Sequence, residues 1–259
     1  MATYLDRILD RHRELDALDT RSLDDLVVAA GATQPTRGFA QALRGGAQLH
    51  VIAEIKRRSP SKGDLQTELD PATVAHSYQS GGASCLSVLT DTEFFGGSVD
   101  DLQAARAACS LPVLRKDFTV SAHDVCDARI MGADCVLLIA AAISPAEVTR
   151  LHHLAREIGL DVLVEIHDEA ELEVAIAAGA DLIGVNQRDL VTFQVDHDRA
   201  VRIAALIPDS AVKVAESGVR HRADAASLYA AGYHAVLVGE TLVTAADAAV
   251  TIRQLRGLH

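Results

Sequence analysis

From about residue 49 onward, two hydrophobic periods alternate along the chain. Short apolar runs of four to six residues end in polar tips, and longer stretches follow in which apolar residues recur three and four apart. The runs predict strands over residues 51–56, 85–90, 113–116, 135–139, 162–165, 182–186, 212–215 and 235–238. Many are entered through a glycine turn, as in SGGASCLSV, MGADCVLL, AGADLIGV and AGYHAVLV, where Gly closes a helix and a small residue leads into the strand. Strand, tip and helix in regular succession mean parallel strands joined by helical crossovers. An open doubly wound sheet is the competing arrangement. Eight near-equal units with no Gly-rich dinucleotide fingerprint after the first strand favour an α/β fold of the closed (β/α)8 TIM-barrel type.

The first 48 residues follow a different pattern. Apolar positions at Tyr4, Ile8, Leu15 and Leu18 with charge between them predict an amphipathic helix over 3–17. A second helix is expected over 22–30, with Ser22 as its cap and Asp25 in its first turn. Residues 1–48 therefore read as a helical N-terminal extension within a single barrel domain spanning 1–259. Periodicity does not say where this extension lies relative to the barrel.

Side-chain alternation turns the strand tips into a candidate site. Successive residues of a strand face opposite ways, so Ile52, Glu54 and Lys56 share a face, as do Leu114 with Lys116, Leu163 with Glu165, Gly184 with Asn186 and Arg188, and Val214 with Glu216. If the apolar partner points into the barrel, so does the polar one. Glu54, Lys56, Lys116, Glu165, Asn186 and Glu216 then converge on the mouth at the carboxyl ends of the strands, where barrel enzymes carry their sites. The last two tips, Ser217-Gly218 and Gly239-Glu240, are small residues ahead of helices, a place where backbone N–H groups receive phosphate. Ser59 and Lys62 on the first loop are positioned to complete such a site.

Composition narrows the chemistry. A net charge of −12 and a pI near 5.3 exclude a nucleic-acid face, which needs clustered Lys and Arg, so local basic residues serve small anions. The longest apolar run, around 136–143, is too short for a membrane span, and the opening residues lack the apolar core of a signal peptide, so a cytoplasmic protein is expected. Cys85, Cys109, Cys126 and Cys135 form no CxxC pair and read as core or helix residues. None of the eleven histidines sits in a ligand-spaced motif, and no metal is expected. Two lysines, several carboxylates and an amide suit proton transfer with oxyanion stabilisation, or a Schiff base on a lysine. Close carboxylates raise one another's pKa, while buried lysines fall unless carboxylates support their charge.

Read together, AEIKRRSPSKG, SVLTDTEFFGGS, LPVLRKDF, GADCVLLIAA, LVEIHDEAEL, GVNQRDL, VAESGV and AVLVGETLV closely resemble, in order, the indole-3-glycerol phosphate synthase family. The resemblance covers nearly the whole barrel. It implies cofactor-free conversion of a phosphorylated small molecule, 1-(2-carboxyphenylamino)-1-deoxyribulose 5-phosphate, to indole-3-glycerol phosphate by ring closure, decarboxylation and dehydration. By matching position, it also implies Lys116 and Lys56 as cationic acids, Glu165 as the dehydration base, and Glu54 and Asn186 as orienting groups. Glu216, Ser217 and Arg188 complete the polar wall. Phosphate contacts fall on Ser59, Gly218, Gly239 and the Glu240 backbone, and an apolar wall for the anthranilate ring falls on Pro60, Phe95, Phe118 and Leu190. A monomer is the family default.

Two stretches depart from the family pattern, Gln187 and the SAHD loop from Ser121, and both are expected to alter loop detail only. A Schiff-base aldolase and a non-catalytic barrel subunit are the competing functional readings. Phosphoribosylanthranilate isomerase shares the phosphate-barrel logic, but its Cys and Asp have no match at the first strand tip.

Overall fold

The computed structural model describes residues 3–60, 62–189 and 191–258. Eight parallel strands close into a barrel: β1 (His50–Ile55), β2 (Cys85–Leu89), β3 (Val113–Lys116), β4 (Cys135–Ile139), β5 (Asp161–Ile166), β6 (Leu182–Asn186), β7 (Val212–Glu216) and β8 (Ala235–Val238). Each strand pairs with its chain neighbours, and β8 closes on β1 with His50 opposite Ala235. The expected boundaries differ from these by no more than one residue. Apolar residues such as Ile52, Leu114, Leu163 and Val214 are buried in the barrel, leaving its upper rim to the polar tips.

The extension forms α1 (Tyr4–Leu18), α2 (Leu23–Gly31) and a short α3 (Phe39–Ala42). Thr3 caps α1 through a capping box with Asp6, and Ser22 caps α2 by accepting from the Asp25 N–H, each satisfying amide donors that the first turn leaves open. The extension reaches both ends of the barrel. Tyr4, Leu5 and Ile8 of α1 border the pocket at the carboxyl ends of the strands. Preceding and within α3, the Arg37 and Ala40 amides donate to Asp134 and Asp161, which sit where β4 and β5 begin. Phe39 and Leu43 are fully buried there, each contributing roughly 1.5–3 kcal/mol of apolar burial.

The apolar stripe of α1 differs from the expectation. Ile8 and Leu9 are buried, whereas Leu15 is 47% and Leu18 75% exposed. The second half of the helix is tied down by polar contacts instead: Arg13 donates to the Ala142 carbonyl, and Asp16 pairs with His123. Those links run to residues more than 100 positions away, so local periodicity could not reveal them.

The remaining helices pack outside the strands: α4 (Pro71–Ser80), α5 (Val99–Ala108), α6 (Ala122–Ile130), α7 (Pro145–Glu157), α8 (Glu169–Ala177), α9 (His197–Ala204), α10 (Arg222–Ala230), α11 (Glu240–Val243) and α12 (Ala248–Leu255). No helix among the described residues is long and apolar enough to cross a membrane.

Candidate active site

A cavity of about 400 Å³ opens at the carboxyl ends of the strands. Its lining contains all the expected site residues that the structure describes: Glu54, Lys56, Ser59, Pro60, Phe95, Lys116, Phe118, Glu165, Asn186, Arg188, Glu216, Ser217, Gly218, Gly239 and Glu240. Leu190, the remaining expected wall residue, lies outside the described residues.

The polar residues form two groups on the rim. Across β3, β5 and β7, Lys116 Nζ is 2.9 Å from Glu165 Oε2 and 3.5 Å from Glu216 Oε2. Asn186 Nδ2 donates to the other Glu165 oxygen at 2.9 Å, and Asn186 Oδ1 accepts the Arg188 amide at 3.0 Å. Strand register places Asn186 level with Glu216, so this group is set by backbone pairing rather than by flexible loops. At the end of β1, Lys56 Nζ, one residue past the strand, sits 2.6 Å from Glu54 Oε1. Tyr78 donates its hydroxyl to the Glu54 carbonyl at 3.1 Å, anchoring that strand end from the α4 side.

Charge within the first group is unequally shared. Burial works against the Lys116 ammonium, but Glu165, Glu216 and Glu54 outweigh it and hold the lysine above its ordinary pKa. Burial likewise pushes Glu165 up, yet Lys116, His167 and the Asn186 amide hold it well below the usual carboxylate range. Glu216 goes the other way. Burial and the neighbouring Glu165 charge raise it, with Glu54 adding to the effect against the pull of Lys116. Of the two carboxyls, Glu165 is the one held ionised beside the ammonium and Glu216 the one pushed toward its protonated form. Glu216 Oε1 has no hydrogen-bond partner, consistent with a group held by packing and charge.

Two glycines make room for these carboxylates. A Cβ on Gly184 would overlap Glu216 Oε1, and one on Gly239 would overlap Glu54 Oε1 and crowd Lys56 Nζ. On the β7 side, Ser217 and Gly218 take successive positive φ values of 65° and 74°. Consecutive residues of this hand can turn their N–H groups toward an anion, and for Ser217 the conformation is strained. Gly239 and α11 lie beside this turn along the cavity wall, and Lys62 pairs with Glu240 at 3.5 Å across it. Opposite, Phe95 and Phe118 stand with ring centroids 6.0 Å apart and form an apolar wall with Pro60.

Several supporting residues were missed from sequence. His167 Nε2 lies 3.6 Å from Glu165 while its Nδ1 is held by Glu171. Tyr4 packs edge-on against Phe94 and Phe193, bringing α1 over two sides of the mouth. Gln187 is more than loop detail: its buried side chain donates to the Ser217 carbonyl at 2.7 Å and so supports the strained turn. His12, Asp91 and Asp117 also meet, with donor atoms within 4.8 Å of one another, a spacing that a metal ion could span. Widely separated in sequence, they leave no motif to read.

The model of the indole-3-glycerol phosphate synthase family matches residues 5–255. An indole-3-glycerol phosphate synthase from a Nocardioides species is 51% identical over 92% of this chain and 91% of its own. A second relative so named, from Streptomyces coelicolor, is 51% identical over 90% of each chain. Among solved structures, a 3-hexulose-6-phosphate synthase superposes with a TM-score of 0.64 over 81% of this chain and 99% of its own. At 17% identity that likeness extends to the barrel alone. Matched along almost its whole length and half identical to named relatives, the chain belongs to the indole-3-glycerol phosphate synthase family, lyases of tryptophan biosynthesis.

Proposed function

We propose that the pocket binds 1-(2-carboxyphenylamino)-1-deoxyribulose 5-phosphate with its phosphate at Ser59, Gly218, Gly239 and the Glu240 backbone, and its aromatic ring against Pro60, Phe95 and Phe118. The carboxylate-bearing ring carbon attacks the ribulose carbonyl, and Lys116 gives a proton to the oxygen as charge develops there. Lys56, aligned by Glu54, holds the ring carboxylate until the carbon–carbon bond to it breaks and CO2 leaves, returning the electron pair to the ring. Water then departs with a proton from an ammonium, and Glu165 takes the proton from the carbon next to nitrogen, completing the pyrrole. Glu54 and Asn186 orient these groups and the substrate, with Arg188, Glu216 and Ser217 completing the polar wall. Substrate atoms and enzyme protons balance these steps, so the scheme uses no cofactor.

The observation that carries this reading is Lys116 clasped between Glu165 and Glu216. A Schiff base needs a neutral amine, whereas this lysine is stabilised as an ammonium, the form that donates a proton. The reading extends to a cytoplasmic monomer, one barrel domain with its extension folded onto it.

The test is conversion of the carboxyphenylamino substrate followed by indole fluorescence, for which a chain without Trp gives a dark background. Saturable fluorescence growth is expected. No product, or borohydride-dependent labelling of Lys116 with a keto-phosphate, would replace this scheme with Schiff-base chemistry or another substrate.

A further inference from the structure

We propose that His12, carried by α1, is a positioning residue for the aromatic half of the substrate, acting as a hydrogen-bonding strut between the two loops that present Phe95 and Phe118. This rests on the wall assignment under Proposed function. His12 Nε2 lies 3.2 Å from Asp91 Oδ2 and 3.6 Å from Asp117 Oδ1, and its side chain is only 11% exposed. Each aspartate passes the contact directly to the wall. Asp91 Oδ1 accepts the backbone N–H groups of Phe94 at 2.6 Å and Phe95 at 3.1 Å. Asp117 Oδ1 accepts the Phe118 N–H at 2.9 Å, and Asp117 directly follows Lys116. The His12 ring itself stands 5.7 Å from the Phe118 ring.

The charges facing His12 come from several elements. Asp91 follows β2, Arg115 and Asp117 lie on and just after β3, and Asp124 comes from α6. Arg115 is itself engaged by Asp117 at 3.0 Å and by Asp124 at 3.9 Å. Arg11, the neighbour on α1, is turned to Glu14 and Glu93 at the surface. Both contacts are made by Nε2, so a neutral ring with its proton on that nitrogen already serves as the donor between the two loops. The remaining acceptor positions of the carboxylates are supplied with amide, Thr90 and Arg115 donors.

The test is steady-state kinetics on the full chain, with the carboxyphenylamino substrate, for the wild type, His12→Ala and His12→Gln. Losing the contact is expected to raise KM about tenfold in His12→Ala, with kcat little changed. His12→Gln, whose amide still donates toward Asp91, should keep a KM near the wild-type value. Amide exchange at Phe94 and Phe95 should accelerate in His12→Ala. An unchanged KM in His12→Ala would overturn the proposal, as would kcat and stability falling together with KM intact. Activity lost to a chelator and restored by zinc would replace the strut with a metal site. Phe118→Ala separates the two readings: an unaltered KM there removes the wall and with it the substrate role of His12. Faster amide exchange in His12→Ala would still report the contact itself.

Discussion

Two lysines of the pocket, Lys56 and Lys116, are equally shielded, each with a side chain 16% exposed, yet they are held in different ways. Lys56 has one close carboxylate, Glu54, at the same strand end. Lys116 has two, Glu165 and Glu216, on two other strands. A pair at one strand end can turn together toward a bound group. A lysine shared between strands is fixed by the barrel register, and its two carboxylates must divide their protons unequally. In the proposed scheme this difference suits Lys116 to be the rigid proton donor and Lys56 the more adjustable anchor for an anion.

That contrast is most open to breakage at Lys116. Lys116→Met should lower kcat by about 10³-fold, within the span for a general acid, and should do so more than Lys56→Met. A larger loss at Lys56 would reverse the assignment, as rates from indole fluorescence would show. Next, Glu165→Gln should cost roughly 10²-fold and slow dehydration specifically, so that a ring-closed, decarboxylated intermediate accumulates in single-turnover quenches. Unchanged single-turnover rates would remove Glu165 from the role of base. A smaller effect is expected from Gly239→Ala, whose Cβ would displace the Glu54–Lys56 pair. It should cost about tenfold, chiefly in KM, if Lys56 holds the substrate carboxylate.

Glu216→Gln should have the least effect near neutrality, because glutamine imitates the protonated acid. It sharpens the comparison through pH. A carboxyl whose folded pKa is raised favours the folded state least once it must ionise, so the wild type should lose stability as pH climbs from the ordinary carboxylate range through the raised pKa of Glu216. Thermal melts of the Gln variant should lack that decline. Glu165, held low, contributes in the opposite sense: its stabilisation is present above the ordinary carboxylate pKa and lost as pH falls below it.

Much of this arrangement was legible in the chain because a strand converts order into direction. The faces of Glu54, Lys116, Glu165, Asn186 and Glu216 follow from alternation once the strands are located, and the glycine turns locate them. What the chain could not display were contacts made across long sequence gaps. The placement of α1 depends on Phe94 and Phe193, and the short α3 is stabilised by Asp134 and Asp161 rather than by its own four residues. Gln187 looked incidental for the same reason, since its partner is the carbonyl of Ser217, 30 residues on. The unequal charge of Glu165 and Glu216 is likewise a property of their separation and burial, neither of which is written in either residue.

The pairing of β8 with β1 also has a consequence for timing. Glu54 and Lys56 are made early, but their strand gains its second neighbour only after Ala235–Val238 has been synthesised. Bringing together segments so far apart in sequence is entropically slow, and closure belongs late in folding. Gly239, which bounds the Glu54–Lys56 pair, arrives with the same strand. A nascent chain therefore holds both lysines well before it holds a site, and completion of the cylinder is the event that switches the chemistry on.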